Sequence, residues 1–194
     1  MAKTFKIAVS GKPGSGKGTF GRALAAALNE CGLYCEFTSM GDINRENAAR
    51  RKLDFETDWG KFVQANPEID RVIDGDIVKL LRGQKNVVLD ARLAPFFART
   101  LSGVFSIRVD APDDVRWSRI SNRDKKTYLE TIVAVSGPQG REEQDRERFR
   151  SLYGVVDYLD DKYFDLILNN CQQATIEGLT VQAVTAIKAW TARQ

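Results

Sequence analysis

The stretch Gly11-Lys12-Pro13-Gly14-Ser15-Gly16-Lys17-Gly18-Thr19 is the part of this chain best equipped for chemistry on phosphate. A lysine six residues after the first glycine and directly after Gly16 is the spacing of a phosphate-binding loop. Glycines let the backbone turn so that several N–H groups converge on one anion, and the start of a following helix adds its positive dipole end. Lys17 then serves as a mobile point charge for the outer phosphates. Residues 11–19 are therefore read as a nucleotide-phosphate site. The hydroxyl usually found directly after the lysine is displaced by one, because Gly18 stands there and Thr19 follows. Thr19 and Asp90, which closes the apolar run Val87-Val88-Leu89, are the candidate groups near a Mg²⁺ ion, Asp90 through its waters.

Arginines supply the second constellation. Helical spacing puts Arg116, Arg119 and Arg123 on one face, and Arg141, Asp145 and Arg148 on another. Phosphoryl transfer requires such an arrangement, since catalysis is mostly positioning and neutralisation of spread negative charge. No base is needed when the attacking oxygen belongs to an ionised phosphate. The competing reading is a pair of solvated helices whose arginines pair locally with Glu142, Glu143 and Glu147. Arg45 and Arg92 follow the second and third apolar runs, where an open α/β sheet places its ligands.

These groups need a scaffold to converge. Short apolar runs at 5–10, 34–38, 86–90, 105–109 and 164–168 alternate with helical patterns at 17–31, 42–50, 67–83, 112–123, 141–156 and 176–191. That alternation predicts an α/β fold, a five-stranded parallel sheet flanked by helices. The helix from Pro67 is expected to bury Ile69, Val72, Ile73, Ile77, Leu80 and Leu81. Two segments break the alternation: 40–83, read as a helical insert, and 124–140, a polar, turn-rich stretch read as a mobile lid. Both belong to one domain spanning 1–194. Net charge is +3 from 29 basic and 26 acidic residues, too balanced to imply nucleic acid as the main partner. Histidine is absent, which excludes a histidine base, and the three cysteines lack the spacing of a disulfide or zinc framework. They fit small buried or half-buried positions. No membrane-length apolar run is present, so the chain is read as cytoplasmic.

These pieces in this order resemble a nucleoside monophosphate kinase, specifically a cytidylate kinase of the short, archaeal-like type. The Lys17-Gly18-Thr19 ending of the loop is normal for that group. The resemblance implies that Ser39, Gly41, Ile43 and Arg45 grip the monophosphate. It implies that Arg92 and Arg71 contact the acceptor, through the stretches Pro67-Glu68-Ile69-Asp70-Arg71 and Val88-Leu89-Asp90-Ala91-Arg92. Arg141, Asp145 and Arg148 are then acceptor-reading residues, and Arg119 and Arg123 lid arginines over the transferred group. Ala91 and Asn44 depart from the family pattern, which more often has glycine at the first position and an aromatic or apolar residue at the second. The implied function is transfer of the ATP γ-phosphoryl group to CMP or dCMP by a monomer, with Mg²⁺ and no nucleic acid or membrane partner. AMP, UMP or a small metabolite as acceptor, and a slow nucleotide-dependent binding protein, are the alternatives.

Overall fold

The structure, a computed structural model, describes residues 4–55, 57–137 and 140–193. Five strands, β1 (Lys6–Ser10), β2 (Glu36–Ser39), β3 (Val87–Asp90), β4 (Val104–Asp110) and β5 (Leu166–Asn169), form one parallel sheet in the order β2-β3-β1-β4-β5. Each stands within two residues of the apolar run that predicts it. β1 is buried along its whole length, and its centre Ile7-Ala8-Val9 is accordingly apolar rather than alternating. Its side chains still divide by face. Ile7 and Val9 join a core with helices α1 (Lys17–Glu30) and α9 (Ile176–Thr191), while Ala8 joins the core on the opposite side.

Between β2 and β3 the chain forms α2 (Met40–Arg50), α3 (Trp59–Ala65) and α4 (Pro67–Arg82), the expected run of helices without a strand. Ala48, Trp59 and Val63 give this segment its own small core. Met40 and Ile77 tie it to the sheet side. On α4, Ile77 and Leu81 are buried as expected, but Val72 is 62% exposed. Its Cα points about 100° away from Ile73, off the packed arc. A short helix that the periodicity does not reveal, α5 (Ala94–Ala98), joins β3 to β4.

After β4 come α6 (Asp113–Asp124), α7 (Tyr128–Ser136) and α8 (Arg141–Tyr153). The segment expected to be turn-rich thus carries a helix. Its start is fixed by a capping box, with Thr127 Oγ1 accepting from the Glu130 amide at 3.3 Å and Glu130 Oε2 accepting from the Thr127 amide at 2.8 Å. Pro138 and Gln139 lie outside the described residues. The cysteines are free; Cys35 and Cys171 are half-buried, but Cys31 is exposed at the end of α1. Among the described residues no helix is long and apolar enough to cross a membrane. Strand order reverses around β1, whose neighbours β3 and β4 are continued outward by β2 and β5. That reversal opens a crevice at the strand carboxyl ends, where Ser10, Ser39 and Asp90 stand.

Candidate functional site

The loop after β1 enters α1 through Gly16, whose φ of 89° is left-handed backbone that suits glycine. Gly14 is confined as well: a Cβ there would meet the Arg116 carbonyl oxygen at 2.5 Å. Two side chains brace the loop from behind. Asn170, buried past β5, donates from Nδ2 to the Ser15 carbonyl at 2.8 Å. Arg119 donates to the Ser15 carbonyl at 3.3 Å and to Asn170 Oδ1 at 3.2 Å. The loop runs into the first turn of α1, which carries no acidic residue to compete with an anion.

Arg116 behaves differently from its neighbours on α6. It is wholly buried and donates to the Pro13 carbonyl at 2.7 Å, to Glu142 at 2.6 Å and to Asp113 at 2.6 Å. This arginine does pair with Glu142, but inside the protein and not on a solvated face, and it clamps the loop to α6 and α8. Arg119 and Arg123 line the cleft as expected. Arg123 also pairs with Asp124 at 2.6 Å.

Lys17 Nζ sits 3.4 Å from the Lys12 carbonyl at the head of the cleft. Desolvation pushes its ammonium down to about 8, opposed by Asp90, while Arg92, Arg141 and Arg45 lower it further. Cations on several elements therefore reach Lys17 across a shared space, and an anion there would relieve it. Asp90 is buried, and burial raises its carboxyl despite Lys17 and a hydrogen bond from Ser39. Its Oδ2 accepts that bond at 3.3 Å, and its buried Oδ1 has no partner. Gly18 makes room beside it, since a Cβ there would stand 3.3 Å from Oδ2.

The far wall is a chain of ion pairs. Asp145, buried on α8, pairs with Arg92 and takes a 2.9 Å bond from Arg148. Arg148 Nε lies 3.3 Å from Asp70 Oδ2, and one turn further along α4 Asp74 accepts from the Tyr153 hydroxyl. Burial first, and then the Asp70 charge, push Asp74 up to about 6 against the Tyr153 bond and Arg148. Across the mouth, Phe55 lies between the Arg45 and Arg141 guanidiniums, 4.7 and 4.5 Å from its ring centre. Arg45 also pairs with Asp42 at 3.3 Å.

The cavity is about 420 Å³ and brings together Lys17, Thr19, Ser39, Gly41, Arg45, Asp90, Arg92, Arg119, Arg123, Arg141, Asp145 and Arg148. Gly14, Gly16 and Gly18 line it; Gly11, Pro13 and Ser15 shape the loop behind, and Lys12 turns outward, 4.0 Å from Asp113. Arg71 is the exception. It is exposed and does not line the cleft, because on α4 the cleft-facing arc is Asp70, Ile73, Asp74 and Ile77. Sequence reading passed over Asp70 and Asp74. Their spacing from Ile73 and Ile77 was the available signal, two carboxylates on the apolar arc. It also missed Phe55, which no local pattern marks. Among the described residues no group of three or more His, Cys, Asp or Glu could hold a metal by itself.

Residues 7–150 match the family model described as an AAA domain. The chain is 37% identical to a cytidylate kinase of Pyrobaculum islandicum, over 84% of this chain and 82% of that one. It is 36% identical to a cytidylate kinase of Sulfolobus acidocaldarius, over 84% of each. Among solved structures, an APS kinase of Mycobacterium tuberculosis shares the fold with a TM-score of 0.60 at 16% identity, covering 97% of this chain and 99% of that one.

Proposed function

The chain belongs to the cytidylate kinase family of P-loop kinases, and we propose that it transfers the γ-phosphoryl group of ATP to CMP or dCMP, giving ADP and CDP or dCDP. The observation that carries this reading is the cleft itself. One end is a phosphate loop with Lys17, and the other is a second set of arginines held by a buried carboxylate.

In this reading backbone N–H groups of the 11–16 loop, other than Pro13, which has none, cradle the donor phosphates, and Lys17 follows the group in flight. Arg45, Arg92 and Arg141 orient the acceptor phosphate so that one of its oxygens stands in line with the γ-phosphorus. A bond forms from that oxygen to phosphorus, and the bond from phosphorus to the β,γ-bridging oxygen breaks. Its electron pair leaves with ADP. The acceptor oxygen is already ionised, so no proton need move, which suits a site without histidine. Arg119 and Arg123 neutralise charge spread over the transferred group. The residues present fit a Mg²⁺ ion held by phosphate oxygens and waters, with Thr19 and the unpartnered Asp90 Oδ1 as the protein's contribution. Bound there, Mg²⁺ would neutralise the donor phosphates.

The test is ADP production from Mg·ATP with CMP, dCMP, UMP, AMP and GMP supplied separately at equal concentration. Turnover concentrated on CMP and dCMP is expected. Preference for AMP or a non-pyrimidine acceptor would overturn the substrate assignment, and absence of acceptor-dependent turnover would overturn the reaction.

A further inference from the structure

We propose that Asp70, held by Arg148, reads the exocyclic amino group of the acceptor base and so makes the enzyme select cytosine over uracil. The proposal rests on the reading of a pyrimidine monophosphate as acceptor and names the group that chooses between the two pyrimidines.

The charge pattern along the cleft sets the orientation. Arg45, Arg92 and Arg141 all act on Lys17 at the phosphate end, and Asp70 lies at the other end of the ion-pair chain, with Asp74 one turn further along α4. A nucleotide whose phosphate meets the arginines carries its base toward those carboxylates. Asp70 is only 6% exposed, yet it lines the cavity. Burial raises its carboxyl and the Arg148 charge opposes that. Arg148 Nε lies 3.3 Å from Asp70 but is not aligned for a hydrogen bond, and this nitrogen is buried without a partner. The pair therefore still offers an acceptor on Asp70 beside an unspent donor on Arg148.

Cytosine presents the complement: a 4-amino donor beside the N3 and O2 acceptors. A carboxylate accepting from cytosine N4 is an established pairing in base recognition. Uracil instead turns its O4 acceptor toward the carboxylate, leaving a buried acceptor facing another acceptor. A site built around a hydrogen bond rejects the analogue that lacks it because its own group is left unpaired. Asp74, held by Tyr153 one turn along the helix, keeps this end of the cavity a poor environment for O4.

The experiment measures kcat/KM with ATP for CMP, UMP and pyrimidin-2-one riboside monophosphate, which is CMP without the amino group. The unaltered protein and Asp70→Asn are compared. The unaltered protein should lose about 10- to 100-fold when the amino group is removed, the range for a hydrogen bond to a charged group. Asp70→Asn should lose a similar factor on CMP and nothing further on the analogue, so that its CMP-to-UMP ratio collapses while KM for ATP stays unchanged. Equal use of CMP and the analogue by the unaltered protein would overturn the proposal whether or not the variant folds. So would an equal loss by the variant on CMP, UMP and the analogue. Failure of the unaltered protein to use CMP would instead overturn the substrate assignment on which the proposal rests.

Discussion

Asp145→Asn tests whether the far wall is held together as one unit. The substitution keeps the shape of the side chain and removes its charge. In the structure that charge faces Arg92 and Arg148, with the carboxylate 4% exposed and the guanidiniums 17% and 20% exposed. These values take the pair out of the surface class, where an ion pair contributes little. Breaking a buried pair by removing one partner costs about 3–5 kcal/mol, because a buried charge is left uncompensated. The lower end applies here. Arg148 keeps Asp70 and Arg92 retains some water, so a loss of about 3 kcal/mol is expected. In a chain of this size each kcal/mol moves Tm by about 2–4 °C, giving a fall of about 6–12 °C. The decisive assay is a double-mutant cycle by chemical denaturation with Arg92→Met. If Asp145 acts by holding Arg92, the second substitution should cost little once the first is present, with a coupling energy of about 2–3 kcal/mol. Additive losses, or a variant melting within 2 °C of the original, would refute the reasoning.

Arg116→Lys should destabilise the protein by about 3 kcal/mol or more and raise KM for ATP more than KM for the acceptor. An ammonium cannot reproduce the fork that reaches Pro13, Asp113 and Glu142 together; thermal melting and initial-rate kinetics check this. The Lys17 ammonium, at about 8 in the free protein, is charged below that pH and increasingly neutral above it. Bound phosphate favours the charged form, so ATP affinity should be flat below pH 8 and fall above it, with proton uptake on binding. Calorimetry at pH 8.5 in buffers of different ionisation enthalpy reads that uptake, and its absence would contradict the assignment. Phe55→Ala should raise acceptor KM by about 5- to 30-fold through two lost cation–π contacts, and Phe55→Trp should restore it.

The phosphate loop and the parallel sheet could be read from the sequence because both are local. The loop is a contiguous segment with glycines at 11, 14 and 16 ending in Lys17, and β1, β3 and β4 centre on apolar runs with few competing patterns. Arg119, Arg123 and the face of Arg141, Asp145 and Arg148 followed from helical period alone. What the period cannot supply is the partner. Arg116 shares the phase of Arg119, yet its role is set by Pro13, more than a hundred positions earlier. Arg71 rests on the family resemblance of the stretch 67–71, while the phase of α4 turns Asp70 and Asp74 to the cleft. Thr127 and Glu130 did announce α7, but the polarity of the flanking residues masked the signal. Phe55 became visible only when α2 and α8 were folded across the same opening.

The Arg116 clamp also has a thermodynamic consequence. One guanidinium joins the carbonyl of Pro13 in the donor loop to Glu142 on the helix that carries Arg141, Asp145 and Arg148. Anything that settles the loop thereby settles that helix. Linkage makes the effect reciprocal: whatever factor ATP applies to acceptor affinity, the acceptor must apply to ATP. Any cooperativity between the two nucleotides would then have a carrier in a buried residue that does not itself line the cleft.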